Sequence, residues 1–117
     1  MSQRMARVQK LARQVLGELI QDLKDPRVGF VTVTAVRITA DLRHGRVFVS
    51  VLGDEAQQVA TMAGLNSARP FLRTEISRQM RLKYSPELVF ELDHGPEEAQ
   101  RLEALFRKLH EKDEVEG

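Results

Sequence analysis

Arg7, Lys10 and Arg13 recur at three-residue steps, and Arg69, Arg73, Arg78, Arg81 and Lys83 crowd a second stretch in which Glu75 is the only acid between residues 67 and 83. Guanidinium and ammonium groups gathered along one side of an element bind a polyanion, the guanidiniums by forked contacts to phosphate oxygens. The second stretch contains LNSARPFLR, residues 65–73, where a proline interrupts a helical pattern between two arginines. Proline is at home in the first turn of a helix and pushes the residue before it out of helical geometry. Two helices are therefore expected to meet at Ser67-Ala68-Arg69, with Pro70 starting the second. A helix N-terminus already carries partial positive charge and N–H groups suited to an anion. The plainer reading of the same residues is a solvated face rich in arginine.

Catalytic chemistry finds no comparable cluster. His44, His94 and His110 are far apart, with no HExxH spacing for a metal, and His44 and His94 each adjoin a glycine in an expected turn. The pair Glu97-Glu98 sits where acids open a helix. There is no GxSxG, P-loop or GxGxxG pattern, so no catalytic residue or metal site is expected. HGRVFVSV shares a glycine and a Phe-Val pair with the RRM motif RNP1 but lacks its flanking aromatic rings, which leaves no stacking platform on the sheet. The five phenylalanines, Phe30, Phe48, Phe71, Phe90 and Phe106, read as core. No two glycines stand three apart, so the GxxG clamp of KH domains is absent as well.

These cations need elements to hold them. Met5, Val8, Leu11, Ala12, Val15, Leu16, Leu19, Ile20 and Leu23 fall at three- and four-residue steps, which predicts an amphipathic helix over residues 3–24. Arg7, Lys10, Arg13 and Lys24 lie opposite that stripe, and Asp25-Pro26 ends it. GFVTVTAVRIT and RVFVSVL read as strands joined by a hairpin through ADLRHG, with Gly45 free to take a positive φ. GDEAQQVATMAGLNSA follows as a helix with Asp54 at its N-cap. PFLRTEISRQMRL is the second helix of the bent pair, and ELVFELD is a third strand. Residues 96–110 read as a last helix, whose Leu102, Leu105, Phe106 and Leu109 are expected to pack on the body. The order α-β-β-α-kink-α-β is that of an α+β fold, a three-stranded sheet with helices on one face.

At 117 residues and 42% apolar content, the chain supports one core. It has no cysteine, which excludes disulfides and suits a reducing cytoplasm. The first seventeen residues hold arginines and no acid, as a transit peptide would, but they are poor in serine and their stripe runs on to Leu23, which makes them part of the fold. No apolar run is long enough for a membrane span. Residues 1–90 carry 14 Lys/Arg against 8 Asp/Glu, while residues 91–117 carry 4 against 9. A basic body with an acidic end points the body toward a polyanion. The boundaries expected are a binding domain over 1–95, a helix over 96–110 and a disordered acidic tail over 111–117.

Three blocks, KDPRVGFVTVTAVRITADL, RVFVSVL and MRLKYSPELVFELD, stand in the order and spacing of the ribosome-binding factor A family, which the chain resembles from about residue 5 to residue 93. The resemblance implies a KH-like fold of type II order. It also implies that an interhelical kink, Ala-x-Gly in the family and Ala68-Arg69-Pro70 here, replaces the GxxG clamp. It further implies binding to the free 30S subunit and its 16S rRNA, late maturation near the rRNA 5′ end, a role in cold adaptation in some members, and no cofactor. A cytoplasmic monomer with an assembly GTPase as functional neighbour is the matching expectation. The RNA-binding residues expected from charge and position are Arg7, Lys10 and Arg13 on the first helix, then Arg69, Arg73, Arg78, Arg81 and Lys83 at the kink and beyond. The competing expectations are a module that docks a partner helix and a general nucleic-acid-binding domain.

Overall fold

In the computed structural model of the chain, which describes residues 3–95 and 101–109, the apolar stripe of the N-terminal segment forms α1 (Gln3–Gln21). Ala12, Val15, Leu16 and Ile20 are buried along it. The helix ends three residues before the expected stop at Lys24, because Leu23 donates its N–H to the Ile20 carbonyl at 3.2 Å and tightens the last turn. The proline thus follows the stop rather than causing it.

β1 (Val31–Ile38) and β2 (His44–Val51) pair antiparallel, and β2 pairs parallel with β3 (Glu87–Leu92). A parallel pair needs a crossover, and α2 (Glu55–Ser67) and α3 (Arg69–Met80) supply it. The sheet order is β1-β2-β3. This is the α+β architecture of type II KH order that the sequence predicts.

Alternation in β2 turns Val47, Val49 and Val51 toward the helices. In β1 a strict two-residue period would not bury both Val33 and Val36, which are three apart. A bulge at Thr34 solves this: the register passes from Val33↔Val49 to Ala35↔Phe48, and both valines face the core. The extra residue also contributes, since the Thr34 hydroxyl donates to the Asp93 carboxylate at 2.7 Å and lies 3.2 Å from the Phe48 carbonyl, tying β1 to β2 and to the residue that follows β3. Leu16, Leu65, Leu72 and Ile76 close the core from the helical side, with Leu88 and Phe90 from β3. Each large aliphatic side chain so buried contributes roughly 1.5–3 kcal/mol.

Asp54 caps α2 as predicted, and Gln57 completes a capping box with bonds of 2.9 and 2.8 Å. The hairpin differs from expectation. Gly45 lies within β2 with the Leu88 side chain against it, and the positive φ falls instead on Leu42, at 61°. Phenylalanine placement differs too. Phe90 is core at 7% exposure, but Phe30, Phe71 and Phe106 are 79%, 51% and 65% exposed. Valine and leucine, which pack at less width, fill the space between one helix layer and a three-stranded sheet.

Residues 101–109 are helical and form α4. Leu102, Leu105, Phe106 and Leu109 are each at least half exposed, so the expected packing of this stripe on the body is not found. The rest of the expected helix, 96–100 and 110, and the acidic tail 111–117 lie outside the described residues.

Candidate nucleic-acid interface

α1 presents Arg7, Lys10 and Arg13 to solvent, and no ion pair or hydrogen bond engages these three side chains among the described residues. The buried Gln9 positions the helix: its Oε1 accepts the Ile38 N–H at 2.9 Å, satisfying a donor on the open edge of β1. A groove of about 330 Å³ remains between helix and strand, with Lys10 and Arg13 on one wall and Arg37 on the other. A shallower hollow of about 280 Å³ continues it past Gly17 toward Val31. Arg37 escaped sequence reading because a strand gives no hint of which helix will lie beside it.

The kink is narrower than expected. Only Ala68 separates α2 from α3, with φ −85° and ψ −4°, and Arg69 is already helical. Ala68 N–H bonds to the carbonyls of Gly64 and Leu65 at 3.1 Å, and Leu72 N–H returns to the Ala68 carbonyl at 2.9 Å. Pro70 follows in the first turn, where an N–H is dispensable. No side chain caps the start of α3.

The block KDPRVGF holds this bend from outside. Asp25 accepts from Arg27 at 2.7 Å, and the same Arg27 guanidinium reaches the Ser67 hydroxyl at 3.1 Å. Thr61 accepts the Gly29 N–H and donates to the Arg27 carbonyl. Gly64 allows the approach, since a Cβ there would meet Val28 Cγ2 at 2.6 Å. Arg27 is thus paired with an acid, 2.7 Å from Asp25. Hydrogen bonding to Arg27 in turn holds the Asp25 carboxyl below its ordinary range.

The five cations beyond the kink fall into three environments. Arg69 and Arg73 turn toward the chain entering β3. Arg69 Nη1 lies 3.4 Å from the Leu88 carbonyl; Arg73 donates to Pro86 at 3.0 Å and Ser85 at 3.2 Å, and pairs with Glu87 at 3.2 Å. Arg78 pairs with Glu75 at 2.7 Å one turn away and stays largely exposed. Arg81 and Lys83 leave the end of α3 and meet the first turn of α1 around a hollow that also includes Arg4. Arg43 and Lys83 lie over the Tyr84 ring, 4.4 and 5.5 Å from its centre. The fold thus joins one end of the second cation cluster to α1 and ties the other to β3.

No group of three or more metal-ligating side chains gathers among the described residues, and no described helix is long and apolar enough to cross a membrane.

Residues 4–106 match the family model for ribosome-binding factor A. Ribosome-binding factor A of Heliobacterium modesticaldum is 43% identical over 115 residues, covering 97% of this chain and 95% of the relative. The crystal structure of ribosome-binding factor A from Thermus thermophilus superposes with a TM-score of 0.67 at 31% identity, covering 75% of this chain and 94% of that one. A homology model of the Thermus thermophilus factor, fitted into the cryo-EM map of a 30S complex, superposes with a TM-score of 0.64 at 29% identity, covering 76% and 94%.

Proposed function

The chain belongs to the ribosome-binding factor A family, and from that premise we propose that it binds the free 30S subunit through 16S rRNA and assists late maturation near the rRNA 5′ end. The observation that carries this is the exposed, unneutralised row Arg7, Lys10 and Arg13 beside a groove that adds Arg37, on a fold whose relative has been fitted into a 30S complex. Arg78, Arg81 and Lys83 extend the surface at the far end of α3. Arg69 and Arg73 serve it by holding α3 against the entry to β3.

Cations on a rigid helix read phosphate positions rather than base edges, so recognition rests on the shape of folded rRNA. The proposed protein is a monomer of the cytoplasm, works without a cofactor or a catalytic step, and has an assembly GTPase as functional neighbour. Sedimentation with separated 30S, 50S and 70S particles at two salt concentrations tests the reading. Salt-sensitive co-migration with 30S alone is the expected result, and equal binding to every particle reduces the claim to general RNA affinity.

A second reading has its own observation. The stripe Leu102, Leu105, Phe106 and Leu109 is exposed on α4 at the spacing of a helix-in-groove contact. It suits a protein partner on the particle, and removal of residues 96–117 tests it by the same sedimentation.

A further inference from the structure

Two residues other than glycine hold a left-handed backbone among the described residues, Leu42 at φ 61° and Arg81 at φ 55°. Both line the same hollow, of about 590 Å³, between the first turn of α1, the β1–β2 turn and the end of α3. Each conformation has a local cause. Leu42 completes the hairpin turn, with its N–H bonded to Thr39, and Arg81 ends α3 with its N–H bonded to Arg78 while Leu82 bonds to Ser77. Glycine or asparagine would satisfy either position without steric strain. Backbone strain of this kind gathers at ligand sites, where the side chain it presents is needed.

The side chains divide by burial. Met5, Val8, Leu42, Met80 and Leu82 are partly buried and make an apolar floor, and the exposed Arg4, Arg81 and Lys83 are the charged groups lining the hollow among the described residues. The nearest acid in the turn, Asp41, is occupied by the Thr39 hydroxyl at 2.7 Å and the Arg43 N–H at 3.1 Å. Next to Lys83, the half-exposed Tyr84 ring lies under Arg43. The volume is in the range of small-ligand pockets, roughly 300–1,000 Å³.

We propose that this hollow binds one unstacked nucleotide of single-stranded RNA, its base on the floor of Met5, Leu42 and Met80 and its phosphates against Arg4, Arg81 and Lys83. The assignment rests on the reading of the chain as an RNA-binding factor and adds a site for a single nucleotide, where the α1 surface meets folded rRNA. An inorganic anion would use the cations and leave the floor idle. An amphipathic partner helix would need acids of its own placed to meet three cations around the floor. A nucleotide carries a flat apolar base and its phosphate charge in one unit and matches both parts. A base packed against side chains with its phosphates paired to cations is a sequence-tolerant mode of single-strand capture, and here methionine and leucine take the place of the aromatic ring.

The methionines provide the test. In the full chain labelled with ¹³C-methyl methionine, Met5 and Met80 report from the hollow, while Met62 packs against the core from α2. An rA6 hexamer should shift both the Met5 and Met80 methyls upfield and saturably, leaving Met62 in place. Inorganic phosphate at the same ionic strength should move neither methyl. Leu42→Asn, which relaxes the backbone and removes floor, and Lys83→Ala should each weaken hexamer binding at least about fivefold without lowering the melting temperature. If the hexamer leaves Met5 and Met80 unmoved in protein that still co-sediments with 30S, the nucleotide site is overturned and the small-subunit reading stands. If both methyls respond but 30S is not bound, the site stands and that reading falls.

Discussion

Arg73 Nε donates to the Pro86 carbonyl at 3.0 Å, and its Nη2 reaches the Ser85 carbonyl at 3.2 Å, so one guanidinium clamps the turn that leads into β3. With Glu87 3.2 Å away, its charge is largely answered within the fold. An arginine that reads as an RNA contact by charge is engaged by oxygens of its own fold, and we propose that its role is to position the entry to β3.

Arg73→Lys keeps the charge and loses the fork, since an ammonium cannot span two carbonyls in one plane. We expect a loss of about 1–2 kcal/mol of stability, in line with two modest hydrogen bonds. The salt dependence of rRNA binding should stay as it was. A shallower salt slope with an unchanged melting temperature would return Arg73 to the RNA surface.

The opposite pattern is expected on α1. Arg7→Ala, Lys10→Ala and Arg13→Ala remove side chains without a partner among the described residues and should alter stability by less than about 0.5 kcal/mol. Each should reduce the slope of log affinity against log salt by roughly one unit. Filter binding to 16S rRNA across a salt series measures it, and a triple variant with the parental slope would exclude this surface.

Gly64→Ala tests how closely α2 approaches the loop after α1. A methyl at this position meets Val28 Cγ2 at 2.6 Å and must displace it. Overpacking of this kind destabilises by about 1–3 kcal/mol, more than the gain in helix propensity returns. Equal melting temperatures for the variant and the parent would show that the loop yields freely.

Among the described residues, five carboxyls titrate below their ordinary range, each mainly through a hydrogen bond: Asp25 from Arg27, Asp41 from Thr39, Glu75 from Arg78, Glu91 from Arg46 and Asp93 from Thr34. A depressed folded pKa adds stability above the unfolded value of about 4 and loses it as pH falls through the folded value. The melting temperature should therefore hold steady from pH 7 to about 5 and then decline as pH falls below about 4. Asp93→Asn keeps an acceptor for Thr34 without a charge, so it should start less stable at pH 7 and fall less in acid. Parallel curves for the two proteins would remove Asp93 from this account.

Local signals read truly in this sequence. The stripe of α1, the Asp54 cap, the valine alternation of β2 and the break before Pro70 each depend on residues within one or two turns of one another. Together they were enough for the element order, and that order with three sequence blocks was enough for the family. The misread positions depend on what lies across the fold. A spare residue in β1 became a bulge because Val33 and Val36 both had to reach α1's side of the sheet. The hairpin's positive φ went to Leu42 because the ladder drew Gly45 into β2.

The sequence by itself determined which side chains carry charge and on which face of which helix they stand, since helical period and capping are near-neighbour effects. Only the tertiary structure decided which of those charges remain available. Arg7, Lys10 and Arg13 meet solvent, while Arg73 finds carbonyls twelve and thirteen residues away and Arg27 finds Ser67 forty residues away. A guanidinium binds whichever oxygens are held about 3 Å from it, and the distance between residues far apart in the chain is set by how the sheet and helices pack, not by either local sequence.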